Sequence, residues 1–153
     1  MRLRFVWPGK TREAHLRALS EDYLKRLARF VCCEVTELRE SARGKSKADI
    51  EKESQRISDA LRSGTVTVLL DREGNQWSSE QLAAQVQRWQ SAGAKEVNFI
   101  VGGPYGVSQE LTAAADKHWS LSRLTFTHEM ARVLVLEQLY RAYAIIHGLP
   151  YQK

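Results

Sequence analysis

The chain has 153 residues, enough for one domain, and its 43% hydrophobic content is enough to bury a real core. No apolar run approaches the roughly 18 residues of a membrane span, so no membrane-crossing helix is expected. Lys and Arg outnumber Asp and Glu by 23 to 18, and the net charge of +5 favours an anionic partner such as RNA without demanding one.

The N-terminal MRLRFVWPGK has no h-region of signal-peptide length, and Leu3 to Trp7 reads as a first strand broken by Pro8-Gly9. A cytoplasmic protein is expected. Leu16, Leu19, Tyr23, Leu27 and Phe30 form one stripe of a helix over Glu13 to Phe30. Val31 to Leu38 reads as a second strand. It carries Cys32 and Cys33, which as neighbours point to opposite faces and cannot readily pair. No CxxC pair exists and nothing points to a metal site. Arg39 to Lys47 is a basic loop, and Ala48 to Ser63 a polar amphipathic helix stopped by Gly64. Thr65 to Leu70 is a buried strand ending at Asp71. Ser78 or Ser79 caps a helix that runs to Ser91 and stops at Gly93. Val97 to Val101 is a fourth strand, Ser108 caps a helix through about Lys117, and Leu121 to Phe126 is a short last strand. Glu129 to His147 is the final helix, closed by Gly148 with Pro150 beyond. The alternation predicts an α/β fold: a mostly parallel sheet with helices on both faces, in one domain over residues 1–153.

Two stretches invite a nucleotide-site reading. Gly44-Lys45-Ser46 lies between a strand and a helix as in a P-loop, but the glycine needed five residues before Gly44 is Arg39. Arg39, Arg43, Lys45 and Lys47 then read either as a solvated loop or as phosphate contacts to RNA. The stretch VGGPYGVS follows the fourth strand rather than the first, which excludes an ordinary dinucleotide fingerprint. A tight turn, a phosphate cradle and a pocket for a flat ligand all fit it, although no Lys or Arg lies within the loop. The strand ends at Leu69 to Arg72 and the segment Trp119 to His128 should lie close by. The final helix is apolar over most of its circumference, which suggests a second contact surface and hence a homodimer. Arg132 and Arg141 interrupt that surface as ion-pair residues or as parts of a shared site.

The segments RGKSKADI, VLLDREG, FIVGGPYGVS, WSLSRLTFTHEMARVLVLEQLYRAYAIIHG and the tail PYQK, in that order and spacing over essentially the whole chain, resemble the RlmH family of SPOUT methyltransferases (ribosomal RNA large subunit methyltransferase H). The resemblance implies a deep trefoil knot near the C-terminus and a tight homodimer. It also implies transfer of a methyl group from S-adenosyl-L-methionine to ring nitrogen 3 of a pseudouridine in the helix 69 region of 23S rRNA, with the assembled ribosome as substrate. Carried onto this chain, Leu70, Gly103 and the run Leu121, Ser122, Arg123, Leu124, Thr125 and Phe126 would line the cofactor pocket, with Gly102 and Pro104 shaping the same loop. On that reading the glycines clear space for the cofactor against the backbone.

The target nitrogen carries a proton that must leave, so a general base is expected, and His128 at the mouth of the loop is the candidate. Tyr140, Arg132 and Arg141 could orient the base or its phosphate. Tyr151 matches the family tail, whereas Gln152 stands where the family usually has histidine. Arg39, Arg43, Lys45, Lys47 and Lys153 are the expected RNA contacts, with no metal and no membrane involved. A non-catalytic RNA-binding module of the same fold and a flavodoxin-like nucleotide-binding protein are the competing readings.

Overall fold

Successive residues of a strand face opposite sides of a sheet, and in Arg2–Pro8 (β1) both sides are buried. Leu3, Phe5 and Trp7 enter one hydrophobic cluster while Val6 enters a second. Such a strand belongs in the interior of a sheet covered on both faces. The structure is a computed structural model that describes residues 1–41 and 46–151. It places β1 between Cys32–Leu38 (β2) and Glu96–Ile100 (β4), followed by Val66–Gln76 (β3) and Lys117–Ser120 (β5), in the order β2-β1-β4-β3-β5. Every pairing is parallel.

Helices Ala14–Leu27 (α1), Ser79–Ser91 (α3) and His128–Ile146 (α5) cover one face. There Phe99 of β4 contacts Phe5, Trp89 and Trp119 at ring-centroid distances of 5.8, 6.0 and 6.1 Å. Lys47–Ala60 (α2) and the short Gln109–Ala114 (α4) cover the other face with Ile57 and Leu111. Local chemistry sets the helix starts. Ser78 and Gln81 form a reciprocal capping box on α3, which settles the choice between Ser78 and Ser79. Ser46, Ser108 and Thr127 cap α2, α4 and α5.

Two expectations are corrected. The last strand is Lys117–Ser120 and not Leu121 to Phe126; the latter residues form an irregular segment in which Leu124 is 72% exposed. Its alternating apolar residues imitate strand periodicity without a neighbour to pair with. The third strand does not stop at Leu70. It bulges after Leu70 and resumes, so that both Leu70 and Asn75 lie opposite Trp119. The apolar circumference of α5 is also largely accounted for within one chain. Val133, Val135, Leu136, Leu139, Ala142, Tyr143 and Ala144 are buried, and α5 packs against both α1 and α3.

One polar side chain ties this layer to the sheet. Arg132 of α5 is fully buried and carries no carboxylate partner within ion-pair distance among the described residues. Its Nη2 donates to the Pro8 carbonyl at 2.6 Å, and Nη1 donates to the Gly9 carbonyl at 3.2 Å and to Thr11 Oγ1 at 3.1 Å. Its guanidinium lies 5.0 Å over the Trp7 ring. Burial pushes its pKa down to about 10, which still leaves it charged at neutral pH. One turn earlier, Glu129 Oε1 accepts from the backbone N–H groups of Arg12 and Glu13 at 2.8 and 3.0 Å, where α1 begins. Replacing Arg132 with alanine strands three buried acceptors and should cost roughly 3–5 kcal/mol. Urea midpoints will show R132A strongly destabilised and R132K, which keeps charge without the planar fork, in between.

Candidate functional site

In a parallel sheet the carboxyl ends of the strands face the loops that follow them, and ligands sit there. At the ends of β3, β4 and β5 three segments, 69–72, 101–107 and 119–128, enclose a cleft of about 520 Å³. That size suits a cofactor-sized ligand. Leu70, Gly102, Gly103, Leu121, Ser122, Leu124, Thr125 and Phe126 all line it, as do Pro104 and His128. The structure therefore brings most of the expected cofactor residues to one place.

Arg123 is the exception: its position is in a neighbouring groove and not in the cleft. Asp71, Arg72, Tyr105 and Thr112 line the cleft without having been named as site residues. For Asp71 and Arg72 a signal existed, since they stand at a strand's carboxyl end. For Thr112, inside a short helix, there was none.

The glycine loop answers to its own packing. Gly103 accepts from the Gly106 N–H at 3.0 Å, closing a four-residue turn with Pro104 in its second position. A Cβ on Gly102 would sit 2.8 Å from Val107 Cγ1, and one on Gly103 would sit 3.1 Å from Glu53 Oε1. A side chain at 102 would thus collide with Val107, itself part of the cleft lining, whereas one at 103 would only press on the Glu53 carboxylate, which backs the loop. Helix α2 is that backing. Ser54 Oγ accepts from the Ser108 N–H at 2.8 Å, and the buried Glu53 accepts from the Ser41 N–H at 2.9 Å. Arg56 donates to the Arg39 carbonyl at 3.0 Å. One helix therefore supports both the glycine loop and the root of the basic loop. Arg39 and Lys47 are exposed at this same end of the sheet. Arg43, Lys45 and Lys153 lie outside the described residues, as does Gln152.

His128 is the first residue of α5 and its side chain is 28% exposed. Burial, and then the positive charge of Arg132, hold its pKa below the ordinary 6.5, so the ring facing the cleft is neutral at pH 7. Arg132 itself is spent on the β1 carbonyls and does not line the cleft. Arg141 and Tyr151 are not at the cleft of their own chain either. Arg141 pairs with Glu137 and lies 4.8 Å over the Tyr151 ring, while the Tyr151 hydroxyl donates to Glu137 at 2.9 Å. Tyr151 also packs edge-on against Tyr140 at 4.7 Å. Thirteen residues of helix separate His128 from Arg141, a rise of about 20 Å.

Backbone N–H and C=O groups, apolar walls from Leu70, Val101, Leu121 and Ala131, and a neutral imidazole at the rim suit a flat heteroaromatic ligand. No group of three or more metal-ligating side chains occurs among the described residues. If Val107 is what forbids a side chain at position 102, G102A will lose about 1–3 kcal/mol of stability. The double variant G102A/V107A should regain much of it in thermal melts, and no regain would mean that the loop resists for another reason.

A family model described as predicted SPOUT methyltransferase matches residues 1–152. Ribosomal RNA large subunit methyltransferase H of Geotalea daltonii is 41% identical over 151 residues, 99% of each chain. The protein of that name from Acetivibrio thermocellus is 35% identical over 159 aligned residues and the whole of both chains. A solved probable methyltransferase from Bordetella pertussis Tohama I superposes with a TM-score of 0.56 at 13% identity, over 92% of this chain and 95% of that one, a likeness of fold.

Proposed function

Because this chain belongs to the SPOUT methyltransferase family, we propose that it methylates ribosomal RNA of the large subunit with S-adenosyl-L-methionine. The cleft at the ends of β3, β4 and β5, walled by the glycine loop and the 121–126 segment, carries this reading. Relatives over the full chain are named ribosomal RNA large subunit methyltransferase H, which supports RNA as the substrate. The finer proposal is ring nitrogen 3 of a pseudouridine in the helix 69 region of 23S rRNA, within the assembled ribosome, which places the reaction in the cytoplasm. A trefoil knot formed by the segments around the cleft completes the proposed fold.

When bound, the cofactor supplies an already activated methyl group, so the protein's work is chiefly placement. Gly102 and Gly103 present main chain to it, and Leu70 and Leu121 supply apolar walls. Asp71 also lines the cleft, and its Oδ1 accepts from the Glu73 N–H at 3.0 Å. The neutral His128 ring can accept the proton that leaves the target nitrogen.

The active unit is proposed to be a homodimer. Tyr105, Leu124, Phe126 and Met130 are large apolar side chains exposed around the mouth of the cleft, a surface suited to a second copy. A role for Arg141 and Tyr151 in the reaction would then be played at the partner's site, since their own cleft is too far along α5.

The deciding experiment is transfer from labelled S-adenosyl-L-methionine to assembled ribosomes lacking the modification, followed by mapping of the label. Label on the pseudouridine ring is expected. Absence of transfer, with a known relative active alongside, would favour a non-catalytic binding module. The lowered His128 pKa also gives a signed pH dependence. With the pKa held below 6.5, the acid limb of the rate profile should lie at lower pH than an ordinary histidine would give. H128N should remove that acid limb and about 100-fold in kcat.

A further inference from the structure

Beside the cleft lies a second groove, of about 580 Å³, lined by Arg72, Glu73, Gly74, Asn75, Gln76, Ser120 and Arg123. The two cavities share one residue, Arg72. The bulge of β3 builds this groove. Residues 71–74 leave the ladder between the two positions that face Trp119, and the Asp71 carboxylate turns them by accepting from the Glu73 N–H. Gly74 is pressed onto β5, where a Cβ would lie 2.6 Å from the His118 carbonyl carbon and oxygen. The bulge therefore cannot relax toward β5 and stands over the 121–126 segment. From it Arg72 Nη1 donates to Thr125 Oγ1 at 2.8 Å, a bridge that separates groove from cleft.

The chemistry of the groove differs from that of the cleft. It offers two guanidinium groups and two side-chain amides against one carboxylate, Glu73, which pairs with Arg72 at 3.7 Å. Arg123 is exposed and makes no ion pair among the described residues. A guanidinium with its donors uncommitted beside primary amides matches the oxygens of a phosphodiester, and the amides can also meet sugar hydroxyls.

We infer that this groove is a phosphate shelf that holds the RNA backbone next to the nucleotide being methylated, with Arg123 as its principal cation. The inference rests on the reading of the cleft as the methyl-transfer site. It assigns the sequence-specified SLSR segment two duties, since its backbone neighbours wall the cleft while Arg123 turns outward to the substrate. A single chain segment then sets the distance between the cofactor and the substrate strand.

The test uses the full chain carrying R123E, with R123Q as the milder companion. Binding of a fluorescent single-stranded RNA oligonucleotide is measured across salt concentrations, S-adenosyl-L-methionine binding by calorimetry, and KM and kcat on ribosomes. R123E should weaken RNA binding about tenfold and lower the slope of log Kd against log salt by about one. KM for ribosomes should rise, while kcat and cofactor affinity hold. Unchanged RNA affinity and salt slope would overturn the shelf, and so would loss of cofactor affinity, which would return Arg123 to the cleft. If the wild type binds RNA with an Arg123-dependent slope but transfers no methyl group, the groove stands as an RNA-backbone site and the methyl-transfer reading falls. If the wild type transfers methyl and R123E matches it throughout, the shelf alone falls.

Discussion

The buried guanidinium of Arg132 holds the architecture together at its most demanding point. The end of β1 and the turn into α1 expose main-chain carbonyls in a place sealed from water, and these acceptors must be satisfied. A planar fork with several donors does this from a single side chain of α5. The cost of burying the charge is visible in its lowered pKa and is offset by those bonds and by the Trp7 ring. With Glu129, one turn earlier, accepting from the Arg12 and Glu13 N–H groups just before α1, the N-terminus of α5 is pinned from two sides. His128 stands at that pinned end, so its place at the rim of the cleft follows from a contact that is not itself part of the site.

A comparable division of labour appears behind the glycine loop. Its sharp turn and bare backbone present polar main chain to the cleft, while Val107 leaves no room for a side chain at 102 and Glu53 of α2 crowds position 103. Helix α2 holds this loop through Ser54 and the base of the basic loop through Glu53 and Arg56. A polar helix with few apolar residues thus serves as a bracket between two loops besides contributing Ile57 to the core.

Much of this was legible in the residues. Strands with both faces apolar, the helix cap at Ser108, the choice of Ser78 or Ser79 for α3, and a loop of bare backbone at Gly102-Gly103 all follow from local pattern, because each is decided within a few residues. The order of strands in the sheet is not local, and no periodicity encodes which parallel strands lie side by side. The misplaced last strand has a definite cause. Leu121, Leu124 and Phe126 border a cleft, and their mixture with small polar residues resembles a strand even though Leu121 and Leu124 would fall on opposite faces of one. Arg132 and Arg141 looked alike as basic breaks in an apolar helix. Only tertiary distance separates a cation bound to carbonyls of β1 from one paired within its own helix.

The reach of Arg132 back to residues 8–11 also governs the order in which this molecule can be made. The interior strand β1 and the turn that follows it are synthesised first, but the group that satisfies their carbonyls is carried on the last helix. Loop closure over such a span is slow relative to local pairing. A nascent chain lacking α5 therefore holds an interior strand with open acceptors and uncovered apolar surface, a state suited to chaperone capture rather than to activity. The cleft takes most of its lining from segments that precede α5, yet His128 and Ala131 come with the last helix, so its rim is completed only when α5 is in place.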